Sequence, residues 1–519
     1  MTDDNRNDRP PRFTRRGVLG TGAAMSAGAG LLALSGLPAQ ARAGDIPDEW
    51  DEEFDVVVIG SGFAGLSAAY EAQKAGSSVT VLEKMPSLGG NSAISGGVWS
   101  VGGTPLQEAQ GIEDSPERLL EDMLAAGLDM NHVELARKVA FESLDSLMWS
   151  IEEIGVEYTE TLTQLGGHAV ARAYGTVDGT GAGITRPLAQ RLRENDVEPR
   201  TRVALQRLLR GAAGRILGVT VRVGVPFPDD GSGEMRHIKA RKAVVLATGG
   251  FGNDAVFRML QDPRLDDDLD STNQPGSTAE ALREALSIGC TPIQLSWIQL
   301  GPWASPDERG FGLGPFFGQG IAAQHGIWVD TRTGERFVNE QADRKVRSDM
   351  ILRVGNETIA IADAQGPERR GRDPETMQEL LDRDVVRRFD TLAELAEAYG
   401  MSPDTLEETV GDWNAAVAAG EDPLFGRPLL RDQVVMDTAP WYAMRLTPKI
   451  HHTMGGVAIN SEARALDVST GEVIPGLYCA GEITGGVHGA VRLGGCAYGD
   501  AIVFGRIAGR NAAAEDSWG

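Results

Sequence analysis

Two histidines stand side by side in the stretch KIHHTMGGVAIN, which covers residues 449–460. The chain has only seven histidines among 519 residues, so the pair formed by His451 and His452 stands out. Gly455 and Gly456 follow it closely. Adjacent histidines also cap turns or lie on surfaces, so the pair alone leaves a chemical role and a structural role equally open.

A second group of residues has the spacing of a dinucleotide site. Gly60, Gly62 and Gly65 form a G-x-G-x-x-G series, and Glu83 follows at the end of the next apolar run. In such a series the first glycine makes a tight turn, the second admits a pyrophosphate and the third lets a helix pack closely on a strand. The acidic residue accepts hydrogen bonds from ribose hydroxyls.

These glycines need a strand, a helix and a second strand to position them. The stretch DVVVIGSGFAGLSAAYEAQKAGSSVTVLEK supplies a β-branched run, a glycine turn, a helix of small residues and another β-branched run. The helix N-terminus would then face the phosphates. Three later Gly-rich stretches, MPSLGGNSAISGGVWSVGG, KARKAVVLATGGFGND and EVIPGLYCAGEITGG, bring the chain back to the same cofactor, as in large flavoproteins. The sequence therefore predicts FAD rather than NAD.

The composition indicates a soluble globular protein with more than one domain. Apolar residues make up 41% and charged residues 24% of the chain, and the net charge is −25. An acidic surface repels phosphate backbones, which disfavours a nucleic-acid partner. The three cysteines, Cys290, Cys479 and Cys496, do not form a disulfide framework. We find no C-x-x-C-H haem motif and no C-x-x-C pair, and we predict no metal site.

Residues 1–43 are predicted to be a twin-arginine signal peptide. Arg15 and Arg16 precede a run rich in Gly, Ala and Leu, and an A-x-A sequence ends at Ala43. The run is interrupted by glycines, so a stable membrane span is not expected after the signal is removed. The predicted location is periplasmic, extracellular or at the cell envelope.

The motifs HHTMGG, AGEITGGVHGAVRLGG and GERFVNEQADR give the chain a specific resemblance. It resembles the fumarate reductase/succinate dehydrogenase flavoprotein family, nearest to the soluble single-chain members related to flavocytochrome fumarate reductase and urocanate reductase. The resemblance implies an α/β fold with a Rossmann-like FAD-binding domain, two-layered as in glutathione reductase and interrupted by an α+β capping domain. The predicted boundaries are 44–295 and 447–519 for the FAD-binding domain and 296–446 for the cap.

The resemblance also implies roles for individual residues. His451 and Arg492 would hold a substrate carboxylate, Thr453 and Gly301 would line the substrate site, and Arg344 would transfer a proton. The helix that follows GGCAYGDAIVFGRIAG would direct its N-terminus toward the N1–C2=O edge of the flavin. The stretch GGNSAISGG lacks the histidine that links flavin covalently in respiratory members, which implies non-covalent FAD. The predicted cofactor-binding set is Gly60, Gly62, Ala64, Gly65, Glu83, Lys84, Gly90, Asn91, Ser92, Gly96, Gly97, Val203, Ala247, Thr248, Gly249, His452, Gly481, Glu482, Ala497 and Tyr498.

The family reaction moves a hydride between flavin N5 and one carbon of a C=C bond next to a carboxylate. This chain departs from fumarate reductases at Gly301, which replaces a histidine of a His-Pro-Thr sequence, and in the stretch containing Gly318, Gln319 and Ala322. The partners of a second carboxylate are thus missing. We expect a substrate with one carboxylate and a remainder bulkier than that of fumarate, in open space beside Gly301. That space would be lined by Trp297, Trp303, Phe316 and Phe317, unless these aromatic residues belong to the core.

Other interpretations remain open from the sequence. Without the usual relay, Tyr498, His325 or Lys345 are alternatives to Arg344 as the proton donor. The chain could instead be similar to 3-ketosteroid dehydrogenases, or be a non-catalytic flavin electron carrier. No haem motif or flavin-transfer domain is fused to it, so we expect a small-molecule substrate and a separate electron carrier.

Overall fold

The structure is a computed structural model that describes residues 46–355, 357–370, 374–430 and 433–518. The predicted signal peptide, residues 1–43, lies outside this range. Within it, no helix is both long and apolar enough to cross a membrane.

The first of two large sheets has seven strands in the described residues. Its central strands run parallel, in the order Val473–Cys479, Glu234–Leu246, Glu52–Ile59 and Val79–Leu82. Antiparallel neighbours are Ile216–Val223, Val203–Arg210 and Arg464–Leu466. Such a parallel centre is buried on both faces, so its strands are nearly continuous apolar runs. Val56, Val57 and Val58 are fully buried, as this arrangement requires.

The second large sheet has six strands in the described part of the chain and a separate core. Its strands are Ile298–Ala304, Ile327–Asp330, Glu335–Arg336, Thr358–Ala362, Val386–Phe389 and Trp441–Thr453. Two apolar clusters lie against it, and their buried members come only from residues 317–446. The core of the first sheet draws instead on residues 56–290 and 457–513. The fold is therefore a Rossmann-like FAD-binding domain interrupted by a cap, as predicted.

The long strand Trp441–Thr453 joins the two parts of the molecule. It pairs with cap strands at its start and with Ile298–Ala304 at its end, where His451 and His452 lie. This strand continues through residues 446 and 447, where the cap was predicted to end. The boundaries 44–295, 296–446 and 447–519 remain predictions.

Two short sheets and the helices complete the described structure. The short sheets contain Pro292–Ile293, Gly456–Ala458 and Thr484–Gly485, and Val98–Ser100, Tyr158–Thr163 and Ala173–Thr176. The α-helices are Phe63–Lys74, Gly90–Ile94, Pro105–Ala109, Pro116–Ala126, Val133–Trp149, Ala182–Glu194, Ala255–Gln261, Glu280–Ser287, Gly314–Phe317, Ala323–His325, Arg344–Arg353, Gln365–Arg370, Pro374–Asp382, Leu392–Ala398, Pro403–Ala419 and Cys496–Ala514. Shorter helical turns of other types are Ser150–Ile154, Gly318–Ala322 and Gly481–Ile483. Cys290, Cys479 and Cys496 are buried free thiols, as expected from their number.

Candidate active site

One cavity of about 380 Å³ contains most of the predicted site residues in its wall. Its walls contain Gly60, Gly62, Ala64, Glu83, Lys84, Gly90, Asn91, Ser92, Gly96, Val203, Ala247, Thr248, Gly249, Arg344, His451, His452, Gly481, Glu482, Arg492, Ala497 and Tyr498. Four predicted residues, Gly65, Gly97, Gly301 and Thr453, are absent from the wall. The cavity therefore joins the glycine turn of the first sheet to the histidine pair.

The glycine series forms a cradle at one end of the cavity. Gly60 has a φ of 104°, and a Cβ built on it would lie 2.2 Å from the Ala247 carbonyl oxygen. Gly62 caps the helix Phe63–Lys74 without a side-chain bond. Only glycine fits this turn, and the helix N-terminus that follows is suited to a phosphate.

Glu83 stabilises the same turn. Its Oε2 accepts hydrogen bonds from the Ser61 amide at 3.1 Å and the Ser61 hydroxyl at 2.7 Å, while Oε1 accepts one from the Met85 amide at 2.9 Å. Ser61 also accepts a bond from the Gly89 amide at 3.0 Å. The carboxylate therefore links the first glycine turn to the second, besides the ribose contact predicted for it.

The walls of the cavity fit FAD on two observations. The cradle at Gly60 excludes any side chain, so a ligand can approach the backbone. In addition, three buried polar atoms, Thr248 Oγ1, His452 Nε2 and Arg492 Nε, have no hydrogen-bond partner in the described residues. Buried polar atoms are nearly always bonded, so these atoms indicate a polar ligand.

Gly65 packs directly against the Gly60 turn, and we expect its replacement by alanine to weaken FAD binding. A Cβ on Gly65 would lie 2.0 Å from the Gly60 carbonyl oxygen, so the helix must move off the turn. We expect Gly65→Ala to destabilise the protein by about 1–3 kcal/mol, the usual range for overpacking, and to lower the bound FAD per chain. Thermal unfolding and the flavin absorbance of the purified protein measure both effects.

Gly411→Ala is the matched control, because Gly411 is also inside a helix and has no atom within 4 Å of its built Cβ. It should leave the FAD content unchanged and stabilise the helix by up to about 1 kcal/mol. Equal FAD content in the two variants would contradict a packing role for Gly65.

The opposite end of the cavity is cationic. His451 Nδ1 lies 2.9 Å from Thr272 Oγ1, which fixes the orientation of the ring. Burial, together with the nearby Arg492 and Arg344 guanidinium groups, lowers the pKa of His451 well below its usual value. His451 is therefore a neutral hydrogen-bonding group in the free protein.

Arg344 and Arg492 approach this end from different elements. Arg344 is the first residue of the cap helix Arg344–Arg353, whose N-terminus is capped by Asp343. Its Nη1 donates to Gln299 Oε1 at 3.3 Å, and Gln299 Nε2 donates to the Arg492 carbonyl oxygen at 3.0 Å. Gln299 thus bridges the arginine of the cap and the arginine of the FAD-binding domain.

The two guanidinium groups lack a salt-bridge partner in the described residues. Neither Arg344 nor Arg492 forms a salt bridge with a carboxylate in the described residues, whereas the buried cap arginines Arg336 and Arg427 both pair with Glu340. Burial lowers the pKa of Arg344 well below its usual value, and Arg492 and Arg347 contribute to the shift. Burial also lowers the pKa of Arg492. Two buried cations without an anion form a site for an anionic ligand.

His452 lies beside the acidic part of the cavity wall. Its Nδ1 is 3.4 Å from Glu482 Oε1, which also accepts bonds from the Thr453 amide at 2.9 Å and hydroxyl at 3.2 Å. Burial raises the pKa of Glu482. Thr453 therefore orients Glu482 from outside the cavity, which explains why it does not line the wall.

The region beside Gly301 differs from the expectation of open space. A Cβ on Gly301 would lie 3.1 Å from Trp303 Cζ2, so the indole of Trp303 occupies that volume. Phe317 is fully buried in the cap core, and Phe316 packs against the same cluster. Trp303 is the one member of the four predicted aromatic residues that lines the cavity. The open space expected beside Gly301 is therefore filled by an indole.

Sequence reasoning missed several residues of the wall. Ser95, whose hydroxyl is hydrogen bonded to the Tyr498 hydroxyl, and Phe311 line the cavity. So does the polar segment 272–278, apart from Pro275. The composition of DSTNQPGST, rich in Gly, Ser, Thr and Asn like the other cofactor loops, was a signal for this segment. Of the alternative proton donors, Tyr498 lines the cavity, while His325 and Lys345 do not.

A dinucleotide cradle that opens into a cationic site at the junction with a cap defines a flavoprotein oxidoreductase. The chain belongs to the FAD binding domain family, whose model matches residues 55–497. It is 40% identical to the acrylate reductase flavoprotein subunit of Shewanella woodyi over 89% of this chain and 92% of that protein. It is 32% identical to the urocanate reductase of Eggerthella lenta, over 90% and 76% of the two chains.

Solved structures show the same fold. The open conformation of a flavocytochrome c3 fumarate reductase matches with a TM-score of 0.75 and 34% identity, over 90% of this chain and 79% of that one. A 3-ketosteroid-Δ4-(5α)-dehydrogenase from Rhodococcus jostii in complex with 4-androstene-3,17-dione matches with a TM-score of 0.73 and 26% identity, over 91% and 99%. The chain is thus an FAD-dependent oxidoreductase acting on CH–CH groups.

Proposed function

We propose that the physiological substrate is a compact enoate with one carboxylate, of the size of acrylate, and that the chain reduces it with electrons from a separate carrier. The observation that carries this proposal is the pair of buried guanidinium groups, Arg344 and Arg492, that lack a carboxylate partner in the described residues. A substrate carboxylate would supply the missing charge. The relative named as an acrylate reductase supports the substrate class.

Each polar group at the cationic end has a part in this proposal. Arg492 presents a rigid fork that can hold a carboxylate through two hydrogen bonds, and neutral His451 adds a third contact. FAD, once bound and reduced by the carrier, would supply the hydride. Arg344 is the proton donor to the neighbouring carbon, because its lowered pKa makes it a stronger acid than an arginine in water.

The steroid alternative has a similar fold but a less suitable cavity. A ketone carries no charge, so it would leave Arg344 and Arg492 buried and unneutralised, which is unfavourable. The charge of the cavity therefore favours the enoate. A non-catalytic flavin carrier would not need these groups at all.

Anaerobic reoxidation of the reduced flavin tests the proposed function. The purified holoprotein is reduced, and absorbance is followed after addition of acrylate, fumarate or 4-androstene-3,17-dione. We expect acrylate to reoxidise the flavin faster than fumarate and the steroid to have no effect. Reoxidation by fumarate alone, or by the steroid alone, would overturn the proposal.

We also propose that the FAD is held non-covalently. None of the cavity-wall residues between Gly90 and Gly96 is a histidine, which is the residue that links flavin covalently in the respiratory members. Acid precipitation is expected to release all of the flavin into the supernatant, where its absorbance is measured. Yellow colour retained in the precipitate would show a covalent bond.

We also propose that a cytochrome is the electron carrier and that the protein is exported. Two relatives are named as cytochrome-dependent fumarate reductases, which supports a cytochrome as the carrier. Export by the twin-arginine route rests on Arg15 and Arg16, in residues outside the described range. Cell fractionation of the full chain and of a variant with both arginines changed to lysine tests it, and unchanged export of the variant would reject this route.

A further inference from the structure

We infer that Trp303, together with Gly301, sets the upper limit on substrate length and excludes a second carboxylate from the site. This inference rests on the proposed function, because it concerns which enoates the cationic end accepts. It makes Trp303 a specificity-determining residue of the cavity wall.

A bulge in the strand Ile298–Ala304 directs Trp303 into the cavity. Gly301 pairs with Lys449 and Ala304 pairs with Thr447, so Pro302 and Trp303 stand opposite a single residue of the partner strand. A bulge changes the direction in which the following side chains point. Trp303 is only 6% exposed, so it forms part of the buried cavity wall rather than the protein surface.

The indole touches both groups that would surround the substrate. The Arg344 guanidinium lies over the indole, with its Cζ 4.8 Å from the ring centroid. The His451 ring packs edge to face against the indole, with 5.7 Å between the two ring centroids. The first contact is a cation–π interaction, and the second is a common packing of aromatic rings. Trp303 is therefore fixed between the proposed proton donor and the proposed carboxylate ligand.

Gly301 and Trp303 are structurally coupled. Three atoms of the indole lie 3.1 to 3.6 Å from the position of a Cβ on Gly301. A larger side chain at residue 301 would have to share this volume with the ring. Because residue 301 is glycine, the indole can pack beside it and line the cavity. A polar side chain at residue 301, which could bind a second carboxylate, would have no room.

The apolar wall formed by Trp303 discriminates between enoates by their length and by the charge on the far carbon. A hydrogen or a methyl group on the far carbon of an enoate meets an apolar ring, which costs little desolvation. A second carboxylate at the same place would lose its water, with the nearest guanidinium already stacked on the ring. A longer alkyl chain would meet the ring directly.

The test compares three enoates in the wild type, Trp303→Ala and Trp303→Phe. Reoxidation rates of the reduced holoprotein are measured with acrylate, trans-2-pentenoate and fumarate. We expect Trp303→Ala to raise the ratio of the pentenoate rate to the acrylate rate at least tenfold, with Trp303→Phe in between. The phenylalanine variant keeps a ring beside Arg344, so it gives a result even where the alanine variant binds FAD poorly.

Trp297→Ala is the matched control, because Trp297 precedes the same strand but does not line the cavity. It should leave the ratio unchanged. An unchanged ratio in both Trp303 variants, with normal FAD content and normal acrylate reduction in the wild type, would overturn this inference alone. Failure of the wild type to reduce any one-carboxylate enoate would instead reject the proposed function.

Discussion

Replacing Arg492 by glutamine is expected to abolish most enoate reduction while leaving the fold intact or making it slightly more stable. Loss of one partner of a desolvated charge pair costs about 2–5 kcal/mol, and each 1.4 kcal/mol is about tenfold in rate. We therefore expect kcat/KM for acrylate to fall about 30- to 5,000-fold. The binding of propanoate, followed by its effect on the flavin spectrum, should weaken in parallel.

Stability is expected to rise rather than fall, because burial lowers the pKa of Arg492 and no carboxylate in the described residues forms a salt bridge with it. Burial is also the main cause of the lowered pKa values of Arg344, His451 and His452, and the charge of Arg492 lowers them further. Removing it relieves that repulsion. Arg492→Lys keeps the charge but lacks the guanidinium fork. It should therefore retain part of the propanoate binding and show no increase in melting temperature. A glutamine variant that binds propanoate normally would contradict the assignment.

The second large effect is expected at Arg344. General acid catalysis contributes about 10²- to 10⁴-fold, so Arg344→Gln should lower kcat for acrylate by about that factor. Propanoate binding should change much less, because Arg492 and His451 remain. Arg353→Gln is the control on the same helix, since Arg353 is exposed to solvent.

The lysine variant adds a dependence on pH. A buried lysine beside Arg492 has its pKa lowered from about 10.4, and it donates a proton only below that pKa. The kcat of Arg344→Lys should therefore fall as the pH rises through the lowered pKa, while the wild type stays active to higher pH. Parallel pH profiles for the wild type and the lysine variant would show that Arg344 is not the proton donor.

The parts of the site that sequence reasoning found are those formed by local segments. Gly60, Gly62 and Ala64 fall on one strand–turn–helix unit, so their spacing alone places them on one wall. The role of the histidine pair was instead implied by the family resemblance of HHTMGG, and the structure places both residues at the end of one strand. Motifs of this kind fix backbone geometry within a few residues of themselves.

The other parts of the site depend on pairing between distant segments. Trp303 was one of four aromatic residues expected beside Gly301, and it reaches the cavity where the strand Ile298–Ala304 bulges against Trp441–Thr453. Thr272 contacts His451 across a large separation in sequence. The expectation of open space beside Gly301 came from comparing glycine with the histidine of fumarate reductases at that one position. Such a comparison does not show that the neighbouring Trp303 indole fills the space.

If Arg344 and Arg492 require a carboxylate on the substrate, acrylate and acrylamide should react at very different rates. Acrylate and acrylamide have nearly the same size and the same C=C bond, but only acrylate is charged. We predict that acrylate rapidly reoxidises the anaerobically reduced flavin and that acrylamide at the same concentration does so at least a hundredfold more slowly. Equal rates for the two compounds would contradict the account.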